Sequence, residues 1–308
     1  MIKPQASIVI PAYNAEATIR ETLESVRQQS IGNWTCLVID DGSEDRTAEI
    51  VRSFHARDRR IDLVAQANAG VSAARNTGIK LSPGPFIAFL DADDTWFPGY
   101  LETTLRLLHE DARCGVAFTQ VNICDGGCAQ TGARTRAKLS EFDLRDLLAA
   151  NPTTTCSNLV VRREVFADAG VFRPGMNHAE DQLWLVSVHL SGWKLQGVEE
   201  ALVNYRTSTS GLSADLERML SGFEYLVSYA RLRSGSLSEG DIRWARAEYL
   251  RYLARRALRT HAGTPTSLSY MARALKQNWL MPLERPWPTI PILAAGLMQA
   301  AGLQIATS

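Results

Sequence analysis

Ser7-Ile-Val-Ile-Pro-Ala-Tyr-Asn-Ala-Glu-Ala-Thr-Ile-Arg-Glu-Thr-Leu-Glu-Ser-Val26 carries two hydrophobic periods in succession. Ser7 to Ile10 is a short apolar run stopped by Pro11, the mark of a buried strand. Ile19, Leu23 and Val26 then recur at spacings of four and three, one face of a helix from about Ala15 to Gln29. The same alternation repeats downstream. Thr35 to Ile39, Ile61 to Ala65 and Phe86 to Leu90 read as strands; a helix carrying Ile50, Val51 and Phe54, and another over Val71 to Lys80, lie between them. Strands separated by helices of ten to fifteen residues imply βαβ units, hence a largely parallel sheet covered on both faces.

Ligands of such sheets sit beyond the carboxyl ends of the strands. Polar clusters fall at those ends: Ala12-Tyr13-Asn14, Asp40-Asp41, Asn68, and Asp91 to Asp94. Four strand ends converging on one crevice predict a site. Beyond residue 115 the pattern loosens. Val116 to Ile123 and Leu159 to Val161 read as strands, Asp125-Gly126-Gly127 as a turn, and Glu180-Asp181 opens a helical stretch with Leu183, Trp184, Val186 and Leu190. After about residue 212 strand signals disappear, and Ile242 to His261 sets Ile242, Ala245, Tyr249, Leu250, Leu253 and Ala257 on one helix face with arginines around the other.

Composition limits the function. The 308 residues hold 33 basic and 33 acidic side chains, which argues against a general nucleic-acid binder. The balance is a cancellation, however: residues 212–308 carry 12 basic and 7 acidic groups, leaving 21 and 26 in residues 1–211. Five cysteines (Cys36, Cys114, Cys124, Cys128 and Cys156) form no C-x-x-C pair, so reduced thiols in a cytoplasm are expected. The N-terminal apolar run is too short for a signal peptide. Residues 286–308 carry no charge, but Pro286, Pro288 and Pro291 are expected to break the start of any helix. The remainder, at 1.5 Å per residue, falls short of a bilayer core of about 30 Å. That segment has three candidate partners: a membrane interface, a second subunit in a homodimer, or the domain that precedes it in the chain.

Asp91-Ala-Asp-Asp94 places three carboxylates in four residues at the end of an apolar strand. Residues two apart in a strand share a side, so Asp91 and Asp93 can face one ligand, and a divalent cation would relieve their repulsion. A solvated turn is the competing reading. Asp40-Asp41-Gly42-Ser43 reads either as a turn capping the next helix or as an acceptor for a base N–H.

Taken together, Ser7-Ile-Val-Ile-Pro-Ala-Tyr-Asn14, Asp40-Asp-Gly-Ser43, Asn68-Ala-Gly-Val-Ser-Ala-Ala-Arg-Asn76, Phe89-Leu-Asp-Ala-Asp-Asp94 and Glu180-Asp181-x-x-Trp184 stand in order over residues 5 to 213. In this the chain resembles the family 2 glycosyltransferases. The resemblance implies a GT-A fold, an αβα sandwich with a mostly parallel central sheet, plus here a C-terminal helical extension. It implies a catalytic domain over 1–211 (a nucleotide-sugar half to about 115, an acceptor half over 116–211) and an extension over 212–308. It also implies inverting transfer of one sugar from a nucleotide diphosphate sugar, a UDP-sugar being favoured, to a saccharide or lipid-linked acceptor with Mg2+ or Mn2+.

By that resemblance Pro11 and Tyr13 line the base pocket, Asp41 bonds the base, and Asn68 and Arg75 hold base, ribose or phosphate. Asp91 serves ribose or metal, Asp93 the metal, and Asp94 shares that work. Asp181 matches the catalytic base, and Glu180 an acceptor contact or a partner of the base. Acids capping a helix N-terminus are the competing reading of both. Trp184 is either an acceptor-site wall or core. Tyr205-Arg206 matches the end of the catalytic domain, with Arg206 on the donor side, but Ser208 stands where a His is usual. No Gln-x-x-Arg-Trp is present, which disfavours processive polymer synthesis. Assembly of cell-surface polysaccharide, on the cytoplasmic side and peripheral to the membrane, is the expected setting. A sugar nucleotidyltransferase would want a glycine-rich basic signature in place of Ile-Pro-Ala-Tyr-Asn. A non-catalytic nucleotide-sugar-binding subunit would not need every acid retained.

Overall fold

The structure, a computed structural model, describes residues 4–127, 130–176, 178–207, 215–259 and 263–300. It divides into two compact units, Met1–Phe142 with Asn151–Ser208, and Asp143–Ala150 with Thr209–Ser308.

The first unit opens with β1 (Ala6–Ala12), α1 (Ile19–Arg27), β2 (Trp34–Asp40), α2 (Thr47–Arg57), β3 (Ile61–Ala65), α3 (Val71–Leu81) and β4 (Phe86–Phe89). It continues through β5 (Thr95–Trp96), α4 (Tyr100–Glu110), β6 (Cys114–Cys124) and β7 (Gln130–Arg134). After α5 (Leu144–Ala149), which belongs to the second unit, come β8 (Leu159–Arg162), α6 (Val165–Asp168), α7 (Glu180–Leu190) and β9 (Lys194–Arg206). One sheet takes the order β3-β2-β1-β4-β8-β6-β9-β5, with β7 on β6. Strands β1, β2, β3, β4, β6 and β9 run one way and β5, β7 and β8 the other, so the sheet is mostly parallel.

Side-chain alternation along β1 explains the layers. Ala6, Ile8 and Ile10 point into a core with Ile19, Leu23 and Val26 of α1, Val51 and Phe54 of α2, and Leu101, Leu105 and Leu108 of α4. Val9 points the other way, onto α3. There Gly78 is a packing requirement, because a β-carbon would drive into the Val9 side chain. Gly78→Ala gains about 1 kcal/mol of helix propensity but pays about 1–3 kcal/mol of overpacking. A net loss of stability, read as a lower urea midpoint, is expected.

Pro11 does not end the first strand as the sequence suggested. β1 runs on to Ala12, with Pro11 paired opposite Ile39 and buried. The parallel register sets Ala12 beside Asp40 and Asp40 beside Ala65, so three strands finish at one level. From β1 the chain steps to β2 and β3 on one side, then returns to place β4 on the other. The β1–β4 border is therefore the switch point where a doubly wound sheet opens its crevice.

The second unit is helical: α5, α8 (Leu216–Arg233), α9 (Glu239–Arg259), α10 (Gly263–Gln277), α11 (Met281–Glu284) and α12 (Pro286–Ala300). The expected face of α9 is buried, with Tyr249 stacked 4.2 Å from Phe223 of α8. Arg145 of α5 lies 3.9 Å over the ring of Trp244. Prolines do not break the start of α12. Pro286 opens it, where a missing N–H is no loss, and Pro291 lies inside it. Among the described residues no helix is long and apolar enough to cross a membrane. Cys36, Cys114, Cys124 and Cys156 are buried, and Cys128 lies outside the described residues.

Candidate active site

The loops beyond β1 and β2 are tied together. Asn14 N–H donates to Ser43 Oγ at 2.9 Å, and Glu44 N–H donates to Asn14 Oδ1 at 2.9 Å. Gly42 holds φ +79°, and a β-carbon there would press on the Asn68 backbone, so the turn needs glycine and seats Asn68 beside it. Tyr13 is 53% exposed at this strand end, its ring free to pack on a planar ligand. Pro11 is buried inside β1, so its expected place on the pocket wall is corrected: it shapes the strand that leads to the site. Asp41 is buried, accepting from Gln66 Nε2 (2.7 Å), Ala69 N–H (2.9 Å) and Gly70 N–H (2.8 Å). Its carboxylate thus steadies the entry to α3, and Asn68 lies exposed next to it.

After β4 the acidic turn separates its three carboxylates. Asp94 is buried; it accepts from Ser157 Oγ (2.5 Å) and from Arg206 N–H (2.9 Å). Burial, then the charges of Asp93 and Asp91, push it well above the usual carboxylate range. Its expected share in metal binding is corrected accordingly, since its oxygens already hold the turn to the β9 end. Asp93 is exposed at the turn. Protein packed around one side of its carboxyl costs it part of its hydration, and this, then the neighbouring Asp91, pushes it up to about 6. Asp91 is half-buried and accepts from Arg75 Nη2 at 2.7 Å. Two hard oxygen donors that repel each other suit Mg2+ or Mn2+, which take one or two carboxylates and complete the shell with water and phosphate. No group of three or more acidic, His or Cys side chains is gathered as a metal cluster among the described residues.

Two expected donor contacts are organisers instead. Arg75 is buried and bridges two carboxylates, Nη2 to Asp91 and Nη1 to Glu180 Oε1 at 3.0 Å. Its Nε is buried with no partner. Arg206 clamps the acidic turn: Nε donates to the Asp93 carbonyl (2.8 Å), Nη1 to the Gly126 carbonyl (2.8 Å) and Nη2 to Glu21 Oε2 (2.7 Å). Ser208, in the place of a usual His, lies outside the described residues.

Opposite stand Glu180 and Asp181, the first residues of α7. Ala179 before them is left-handed at φ 58°, a conformation costing about 1–2 kcal/mol for a non-glycine residue, and strain of this kind collects at functional sites. Burial, reinforced by the Glu180 charge, pushes Asp181 up to about 7. Asp181 Oδ1 accepts from Gln182 N–H at 2.7 Å, and Oδ2 from Asn151 Nδ2 at 2.7 Å. Trp184 is core and not an acceptor wall: it is 2% exposed, stacks 5.2 Å from Phe166, and donates from Nε1 to the Gly170 carbonyl at 2.9 Å. Arg75 therefore ties Asp91 of the acidic turn to Glu180, the neighbour of Asp181, while Tyr13 and Asn68 stand beyond the ends of β1 and β3. Sequence reasoning missed the run Asn151 to Asn158. Its polar residues carry no apolar period, and only their contacts with the acids in the folded chain reveal their work.

Comparison with known proteins settles the family. Residues 7–170 match the profile of Glycosyl transferase family 2, more than half of the chain. The chain belongs to glycosyltransferase family 2. It is a glycosyltransferase by that membership. It is 31% identical to the amylovoran biosynthesis glycosyltransferase AmsB of Erwinia amylovora over 211 residues, 66% of this chain and 70% of that one. Over 103 residues, 33% of this chain and 40% of the other, it is 45% identical to an Escherichia coli enzyme, the UDP-Glc:alpha-D-GlcNAc-diphosphoundecaprenol beta-1,3-glucosyltransferase WfgD. The S. aureus TarS 1–349 structure in complex with UDP-GlcNAc superposes with a TM-score of 0.63 at 17% identity, covering 99% of this chain and 94% of that one. That likeness carries the GT-A fold expected from the motifs.

Proposed function

We propose that this family 2 enzyme transfers one sugar from a nucleotide diphosphate sugar to an acceptor hydroxyl with inversion at the anomeric carbon, Asp181 acting as the base. The observation that carries the reading is geometric: buried Asp181 opens α7 beside Glu180, which Arg75 bridges to Asp91 of the acidic turn, and burial and the Glu180 charge push the Asp181 carboxyl up to about 7. A base must be ionised at working pH yet basic enough to take a hydroxyl proton, and a value near 7 serves both needs. Tyr13 packs on the base of the donor, and Asn68 and Asp41 flank it. Asp91 and Asp93 would hold Mg2+ or Mn2+, and the ion would supply positive charge against that developing on the diphosphate leaving group. Asp94 and Arg206 keep the acidic turn in shape, and Arg75 keeps Asp91 and Glu180 from repelling each other. Residues 1–211 would carry this chemistry, with the donor half to about 115 and the acceptor half after it.

A UDP-sugar is the favoured donor, and a saccharide or a lipid-linked saccharide the acceptor, in cell-surface polysaccharide or glycolipid assembly. The names of AmsB, WfgD and TarS support that choice. Calorimetric titration of UDP with and without Mn2+ tests the donor side. Wild type should bind more tightly with Mn2+, and Asp93→Ala should remove that gain, a loss of about tenfold or ~1.4 kcal/mol. Equal Mn2+ dependence in the variant would contradict the assignment.

Residues 212–308 would seat the enzyme on the cytoplasmic membrane face. Trp279 and Trp287 are 75% and 87% exposed, and Leu283 and Ile290 are exposed with them. Arg273, Lys276 and Arg285 are exposed in the same stretch, a composition that suits an anionic bilayer surface. Trp287→Asp should cut co-sedimentation with phosphatidylglycerol vesicles several-fold. Unchanged sedimentation, or a dimer to monomer shift in its place, would assign the face to a second copy.

A further inference from the structure

The run Asn151-Pro-Thr-Thr-Thr-Cys-Ser-Asn158 joins α5 to β8 and touches both sets of acids. At its far end Asn158 is fully buried and locked to β6. Its Oδ1 accepts from Thr119 N–H (2.9 Å), and its Nδ2 donates to the Thr119 carbonyl (2.6 Å) and to the Thr153 carbonyl (3.1 Å). In the middle, Ser157 Oγ donates to Asp94 and accepts from Asp91 N–H at 2.9 Å, so the acidic turn is held by this run. At the near end Asn151 Oδ1 accepts twice from Thr153, from its N–H at 3.0 Å and its Oγ1 at 2.8 Å. Thr153 is itself fully buried.

Those two bonds settle which way the Asn151 amide faces. A flipped amide would set its NH2 against the Thr153 N–H and its oxygen against a carboxylate oxygen. Nδ2 therefore faces Asp181 Oδ2, at 2.7 Å. We infer that Asn151, oriented by Thr153, is a positioning residue for Asp181: its amide fixes the carboxylate in place and favours the ionised form. The inference rests on the reading of Asp181 as the base.

The groups facing Asp181 set the expected sign. Glu180 and Asp91 oppose its ionisation, Arg75 favours it, the Cys156 thiol is buried nearby, and Gln182 N–H and Asn151 Nδ2 are its hydrogen-bond donors. A donor to the charged form lowers a carboxyl pKa. Without Asn151 the carboxylate keeps, among the described residues, the Gln182 bond, so its pKa should climb further above the wild-type value.

The test is a pH titration of the full chain labelled with γ-13C aspartate, the Asp181 resonance being the one that Asp181→Asn removes. Asn151→Ala should raise the Asp181 midpoint by about one pH unit, the worth of one hydrogen bond to a charged group. Asn151→Asp keeps the side-chain shape and the Thr153 bonds while replacing the donor with an acceptor, and should raise it further. UDP affinity in the presence of Mn2+ should change less than about twofold in both, which a general loss of structure would not allow. A midpoint that stays at the wild-type value in Asn151→Asp, or in Asn151→Ala, overturns the inference. Failure of the base reading looks different: Asp181→Asn would then transfer sugar at the wild-type rate, whatever the titration shows.

Discussion

Asp181→Asn is expected to lower kcat for sugar transfer by about a thousandfold, within the range that positioned proton transfer contributes. Because Asp91, Asp93 and Tyr13 are untouched, affinity for UDP with Mn2+ should stay within about twofold. The wild-type enzyme carries a matching pH signature. Asp181 sits near 7 because burial and then Glu180 hold its proton, so kcat/KM should rise with pH through about 7 and level above it. Below that pH the group is protonated and cannot accept the acceptor's proton. The same shift has a stability sign. A carboxyl whose folded pKa lies above the ordinary 3.8 makes the native state hold more protons than the unfolded one between the two values, so stability from this group falls as pH rises from about 4 to about 7. Activity and stability therefore pull in opposite directions at this residue, as functional groups commonly do. A flat kcat/KM profile between pH 5 and 8 would contradict the assignment.

The second large effect belongs to Arg75. Its two arms neutralise Asp91 and Glu180 from a buried position, so Arg75→Met leaves two carboxylates facing each other with no counter-charge. Breaking one partner of a buried ionic group costs about 3–5 kcal/mol, larger than the overpacking expected at Gly78. Arg75→Lys should rescue only part of this, because one ammonium cannot present two planar donors in two directions. Urea unfolding followed by tryptophan fluorescence reads the loss as a fall in midpoint at constant slope. A midpoint equal to wild type in Arg75→Met would mean that the bridge does not organise the crevice.

Particular residues show why part of this was legible in the sequence and part was not. The βα units over residues 6–89 announce themselves because parallel strands buried on both faces become continuous apolar runs, and β1 is buried along its whole length. β9 was not read. Lys194-Leu-Gln-Gly-Val-Glu-Glu-Ala-Leu-Val-Asn-Tyr-Arg206 has Gly197 and two glutamates inside it, and its burial is irregular because its register on β6 slips at several points. β5 is two residues long and exists only by pairing with β9. α4 could have been found, since Leu101, Leu105 and Leu108 repeat at helical spacing. Among the acids, order along the chain marked Asp91, Asp93 and Asp181 as candidates, yet it could not tell an exposed Asp93 from a buried Asp94 one residue on. That difference arises from Ser157 and the Arg206 N–H, distant in sequence. Arg75 and Arg206 match donor-side positions of the motifs, and folding turns both onto the protein's own carboxylates and carbonyls.

The proposed mechanism is direct displacement at the anomeric carbon, with Asp181 taking the acceptor's proton. It is tested most directly by following transfer from an α-linked UDP-sugar by proton NMR, assigning the anomeric configuration of the first-formed product for wild type and Asp181→Asn. The prediction is a β-linked product from wild type and no product from the variant on the same time scale. An α-linked product, or equal rates for the two proteins, would contradict it.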